Sequence, residues 1–194
     1  MGHRRFIIHP HRFNMWLAIV AMVMVFAAFT SAYVVKKADV NNWMEFDLPS
    51  MFNYSVITIL ASSVFMQAAY YTFKKNRVNL HRVFMVLTFL AGATFLVMQI
   101  MGWQELKAAG IILSGNVAGS FVYVISGAHF LHVLGGVIGL LVFTVFAFTR
   151  YSDSVDTLMD NMRGDDKVGL ELMATYWHFV DVLWIYLFFF FQMS

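Results

Sequence analysis

An all-α bundle of five transmembrane helices is the fold this sequence predicts, and three observations predict it. The 194 residues are 60% hydrophobic and only 12% charged, against about 45–50% and about 25% in a soluble domain. The charges are clustered, which leaves uncharged stretches as long as the roughly 20 residues a helix needs to cross the hydrocarbon core. The Lys and Arg residues between those stretches fall on alternating sides, ten against three. This composition excludes a soluble globule, a disordered tail and a nucleic-acid binder. A net charge of +2 implies no polyanionic partner. With no cysteine, the chain can build no disulfide, iron–sulfur cluster, thiolate zinc site or covalent c-type haem.

The first span is read over 13–35, between Arg12 and Lys36. It is too long for a signal peptide and follows a basic tail, so it is retained as a mature span. The second is read over 51–73 and the third over 83–104, each bounded by charge. Between Lys107 and Arg150 lie 42 uncharged residues, enough for two short spans. The first third carries Gly110, Ser114, Gly115, Asn116 and Gly119, which read as a loop or re-entrant turn. The fourth span is therefore set at 120–149, about 45 Å of helix. The fifth, 172–192, contains one charge, Asp181. Residues 1–194 form a single transmembrane domain on this reading, with five spans plus one re-entrant segment as the alternative.

By the positive-inside rule, Arg4, Arg5 and Arg12, then Lys74, Lys75, Arg77 and Arg82, then Arg150, Arg163 and Lys167 lie inside. Lys36, Lys37 and Lys107 lie outside. The N-terminus is then cytoplasmic and the C-terminus periplasmic or outside. Trp16, Trp43 and Trp103 sit near span ends as interfacial anchors do. The aromatic excess, 21 Phe and 5 Trp, reads mostly as lipid-facing bulk.

Lipid removes the hydrophobic drive for helix association, so packing needs small residues and a few polar pairs. Ala27, Ala28, Ser31 and Ala32 offer this in the first span, Ser55, Thr58 and Ser62 in the second, and Gly135, Gly136 and Gly139 in the fourth. His129, His132 and Gly136 share one stripe. Ionisable residues inside a membrane are functional candidates. His129 and His132 are spaced i, i+3 in the fourth span, and His178 and Asp181 repeat that spacing in the fifth. The histidines of the fourth span lie about 12 and 18 Å from its outer end, which lets all four groups meet near mid-depth, where Asp181 can satisfy a histidine N–H. Three readings stay open: an interhelical polar clamp, a proton-path or lipid-headgroup site, and a metal or b-haem site. A haem would need facing histidines, such as His129 or His132 with His178.

At these residues the sequence resembles haem–copper oxidase subunit III. Residues 119–136, GSFVYVISGAHFLHVLGG, resemble that family's G-S-F-x-Y-x-x-x-G-x-H-x-x-H-V-x-x-G signature. Residues 176–184, YWHFVDVLW, match its Y-W-H-F-V-D-x-x-W, which includes Trp177. The first span, from Met15-Trp16-Leu17 to Ser31-Ala32-Tyr33, resembles a third region less specifically. The resemblance implies the five-helix bacterial form in an inner membrane, a non-catalytic subunit that binds no cofactor or metal itself. Haem and copper are expected in partner subunits I and II, which reduce oxygen with electrons from cytochrome c and pump protons. It implies further partners in a small subunit IV, membrane lipids and a respiratory supercomplex. It places bound phospholipid in a cleft, with His129, His132, Trp177, His178 and Asp181 as lipid-cleft or scaffold residues. The alternatives are a quinol oxidase or nitric-oxide-reductase accessory subunit, and, from another class, a stand-alone transporter or b-type cytochrome.

Two positions depart from the family pattern. Relatives commonly place Ser-Glu where this chain has Ala21-Met22, and end the third span Q-x-x-E-W where this chain has Gln99-Ile-Met-Gly102-Trp103. Glu105, one turn later on the same face, is a possible proton-handling substitute for the second of these carboxylates.

Overall fold

The structure, a computed structural model, describes residues 10–39, 43, 47–149 and 165–193, with backbone only at 165 and 166. Arg4, Arg5, Arg150 and Arg163, which carry part of the orientation argument, lie outside the described residues. Among the described residues there are five helices: α1 (Pro10–Asp39), α2 (Ser50–Lys74), α3 (Val78–Ala108), α4 (Val117–Thr149) and α5 (Asp165–Met193). All five are long and apolar enough to cross a membrane.

The helix ends follow from local chemistry. Pro10 opens α1, where a missing N–H costs nothing. The α2–α3 turn closes as a Schellman motif: Asn76 N–H donates to the Phe73 carbonyl and Arg77 N–H to that of Thr72. Asn76 takes the left-handed conformation, φ 56°, which Asn tolerates better than most residues. Gly110, φ 81°, closes α3 in the same way, with Gly110 N–H on Lys107 and Ile111 N–H on Leu106. Asn116 then caps α4, its Oδ1 accepting Ala118 N–H at 2.8 Å. The glycine-rich segment after α3 is thus a tight turn, and α4 runs unbroken from Val117. At about 50 Å it exceeds the hydrocarbon core.

Helices α2, α3, α4 and α5 close a ring in which each packs on two neighbours. Among the described helices, α1 packs on α4 and α5. Its buried stripe is Ile19, Met22, Phe26, Thr30 and Tyr33. The small residues expected to pack, Ala27, Ala28, Ser31 and Ala32, face outward instead. The helix docks by fitting bulky side chains between α4 and α5, so small ones are not needed there. Two polar ties secure it: the Arg12–Glu171 ion pair at 2.8 Å and a Tyr186 hydroxyl donating to Thr30 Oγ1 at 3.2 Å.

The aromatic residues also correct the sequence reading. Trp177, Trp184, Phe26, Phe52 and Phe95 are among the most buried side chains, not lipid-facing bulk. Trp16 is exposed near the start of α1, as an interfacial anchor would be.

Candidate functional site

The residues of the two motifs meet in two layers of the core. Both layers are organised by tryptophans on one face of α5, Trp177 and Trp184, seven residues apart. Ser55 and Ser62 on antiparallel α2 repeat that spacing. Trp177 Nε1–H donates to Ser62 Oγ at 2.9 Å, and Trp184 Nε1–H to Ser55 Oγ at 3.0 Å. A buried indole N–H needs an acceptor, and in each layer a serine supplies it.

In the first layer the Trp177 ring slots between α3 and α4. A Cβ on Gly92 would meet it at 2.8 Å, and a Cβ on Gly136 at 2.9 Å. Both glycines are therefore notches for one ring. Gly139 has a similar role against Met173 Sδ, 3.2 Å from a would-be Cβ. Gly135 does not: it is exposed, with nothing within 4 Å, so the expectation that it packs within this chain is corrected. It lies one residue, about 100°, off the Gly136 stripe.

In the second layer His129 stacks on Trp184, centroids 5.0 Å apart and rings 22° from parallel. Phe95 and Phe52 meet Trp184 edge-on at 5.4 and 5.3 Å. Phe26 from α1 lies 6.3 Å from His129 and 5.7 Å from His132. His129 is fully buried, and among the described residues neither ring nitrogen has a hydrogen-bond partner. His132 Nδ1–H donates to the Ala128 carbonyl at 2.7 Å, and the Tyr176 hydroxyl donates to the His132 carbonyl at 2.8 Å.

His178 faces α2 rather than α4. Its Nε2–H donates to Gln67 Oε1 at 3.2 Å, and Nδ1 accepts from the Ser63 hydroxyl at 2.7 Å. Asp181 lies on the Trp face of α5, 2% exposed. It neighbours Ser63, whose hydroxyl lies 2.7 Å from His178 Nδ1. Among the described residues neither carboxyl oxygen of Asp181 has a hydrogen bond. The anticipated meeting of all four groups is thus not made. No hydrogen bond joins the α4 histidines to His178 or Asp181 among the described residues, because the rotation of α5 points Trp184, not His178, at α4. His129 and His178 also do not face each other across a common space, as a bis-histidine haem would need.

Glu105 sits at the end of α3 opposite the basic α2–α3 turn, accepting from the Ser50 hydroxyl at 3.2 and 3.3 Å. Gly102, one turn earlier, is filled by a neighbour: a Cβ there would lie 2.4 Å from the Phe52 ring. The place where relatives carry a carboxylate therefore holds an aromatic edge.

Three further anchors escaped the sequence reading because each answers a backbone group, which no motif announces. His81 Nδ1–H donates to the Ala69 carbonyl at 2.9 Å. Arg82 Nε–H donates to the Ala147 carbonyl at 2.9 Å. Tyr123 bonds the Ile111 carbonyl at 2.9 Å. The serine acceptors give a direct test. Ser62→Ala strands the Trp177 N–H and should cost about 1–2 kcal/mol, read by unfolding in mixed micelles of rising SDS content. A loss below measurement error would show that the indole finds another acceptor.

Residues 2–193 match the family described as Cytochrome c oxidase subunit III. A cytochrome c oxidase subunit 3 from Corynebacterium diphtheriae is 30% identical over 86% of this chain and 79% of its own length. A cytochrome bo(3) ubiquinol oxidase subunit 3 from Buchnera aphidicola is 24% identical over 91% and 89%. A cytochrome c oxidase subunit 3 from the lamprey Petromyzon marinus is 30% identical over 91% of this chain and 67% of its own length. With nearly its whole length matched, this chain belongs to the cytochrome c oxidase subunit III family.

Proposed function

We propose that this chain is a non-catalytic subunit III of a proton-pumping cytochrome c oxidase in a bacterial inner membrane. The family match from end to end carries this reading. The complex reduces oxygen to water, with haem and copper on partner subunits I and II. This subunit stabilises subunit I and holds phospholipid, and a small subunit IV and a supercomplex fit the same assembly. The ten-to-three distribution of Lys and Arg supports a cytoplasmic N-terminus and an outward C-terminus. The geometry supports a scaffold role: Trp177, Trp184 and Gly136 are engaged in helix packing. His178 and Gln67, at the α2–α5 surface, form the polar edge available to a lipid. Proton handling through Glu105 is not part of this proposal, because Glu105 is held by Ser50 at the end of α3.

Purification in mild detergent tests the assembly: the chain should elute with haem-bearing partners. Elution alone, or with unrelated proteins, would overturn the proposal. In the same preparation Asp181→Ala should weaken retention of the chain or of bound lipid while the haem spectrum stays unchanged. A shifted haem spectrum with the variant chain still bound would contradict a scaffold role. The Buchnera relative favours a second reading, a quinol oxidase. Turnover of the purified complex with reduced cytochrome c or with a quinol separates the two.

A further inference from the structure

We propose that α1 pivots about its C-terminal end and is latched at its N-terminal end by the Arg12–Glu171 ion pair. The two ends of this helix are held by different chemistry. Toward the C-terminal end, Tyr33 is buried in a nest of rings. Between ring centroids, Trp43 lies 5.0 Å from it, Phe190 5.2 Å, Phe121 5.8 Å and Phe191 6.4 Å, all steeply inclined to the tyrosine. These rings come from the α1–α2 connection, α4 and α5, so three segments grip one side chain. Edge-on ring pairs are favourable beyond the area they bury. About one turn nearer the middle, the Tyr186 hydroxyl donates to Thr30 Oγ1. One turn further, Phe26 packs on His129 and His132 of α4.

The other end is thinly held. From Pro10 to Ala18, about 13 Å of helix, every residue is exposed except the half-buried Met15. Ile19 and Met22 are buried, but the contiguous hydrophobic core reaches α1 at Phe26 and takes in neither. Across these first turns Arg12 reaches Glu171 of α5 at 2.8 Å, with the two side chains 46% and 37% exposed. An ion pair this open to solvent is weak and is screened by salt. A stiff helix fixed at one end and weakly tied at the other has one easy motion, rotation about the fixed end. Lipid lowers its cost further, since Ile19 and Met22 leave an apolar wall for apolar chains and lose packing but no hydrophobic drive. Splaying opens a seam between α1 and the α4–α5 wall, widest at Arg12 and closed at Tyr33. The two states offer different surfaces to a partner chain, so a partner that prefers one of them shifts the balance toward it. This device does not rest on the oxidase reading.

Pulsed electron paramagnetic resonance between paired spin labels tests it in the detergent-extracted complex. The chain has no cysteine, so engineered cysteines are its only labelling sites, and the parent chain gives the background from partner subunits. Leu17→Cys with Leu141→Cys reports the N-terminal end of α1, and Val35→Cys with Val124→Cys the C-terminal end; all four positions are exposed. At low salt both distances should be short and narrowly distributed. Arg12→Gln, or about 1 M salt, where the screening length is about 3 Å, should lengthen the N-terminal distance and leave the C-terminal one unchanged. The open fraction should rise about three- to fivefold, the shift that loss of an exposed ion pair of up to about 1 kcal/mol produces. Reversing the pair, Arg12→Glu with Glu171→Arg, should restore the closed distribution that either single reversal loses. An unchanged N-terminal distance in Arg12→Gln would overturn the proposal. Equal lengthening at both ends would overturn it too, because α1 would then leave as a body without a pivot. Failure of the reversed pair to restore closure would remove the latch.

Discussion

Trp177→Ala should destabilise the chain by about 3–5 kcal/mol, the range for truncating a buried aromatic. One ring fills notches on two helices, Gly92 on α3 and Gly136 on α4, and bonds a third through Ser62. Its removal opens a cavity that the two flanking glycines have no side chain to fill. Unfolding in mixed micelles of rising SDS content measures the loss. Trp177→Phe should fall between, keeping most of the bulk but forfeiting the indole hydrogen bond. Phe179→Ala, a truncation of a half-buried ring on the same helix, should cost less. Equal effects at positions 177 and 179 would show that α5 is held by area alone.

Gly102→Glu restores the carboxylate that relatives carry and should prevent stable accumulation of the chain in membranes. Two costs combine. The Cβ alone would sit 2.4 Å from Phe52, which is fully buried, and overpacking of this kind costs about 1–3 kcal/mol. An acidic group within a span adds up to about 2.5–3.5 kcal/mol, the value at a helix centre. Adding Phe52→Ala in the same chain should recover part of the loss, with a coupling of about 1–3 kcal/mol between the two positions. Chain abundance in the membrane fraction and unfolding of the double variant provide the measurement. No recovery would mean that the glutamate is rejected for its charge and that Phe52 is incidental.

The helix count was legible because water and lipid differ: charge is excluded from one and tolerated in the other, so Lys36, Asp47, Lys74 and Arg82 mark boundaries. The loop before α4 was legible because Gly110 and Asn116 are the residues that end and begin helices. The facing of each helix was not legible, since lipid is as apolar as the core and a span can be hydrophobic on every side. Hence Ala27 and Ala28 were assigned to packing when Phe26 and Thr30 hold that stripe. Gly135 and Gly136 could not be separated for the same reason: only the position of Trp177 distinguishes them. The polar candidates were identified by type, but their partners depend on the rotation of α5. Span counting placed His178 and Asp181 at a depth and left open which neighbour they would meet. The serine spacing on α2 was visible, as was the tryptophan spacing on α5; what joined them was the antiparallel contact of two helices about a hundred residues apart.

The ring of helices has a consequence for biogenesis. The key to the lock, Trp177, lies on the helix that is made last of the five, whereas its notches lie on α3 and α4 and its acceptor on α2. During synthesis the first four spans reach the bilayer with two glycine hollows and two serine hydroxyls waiting for α5. A ribosome stalled before residue 177 leaves a half-closed bundle, with α1 missing one of its two walls. Arrival of a single indole thus separates a closed subunit from an open one.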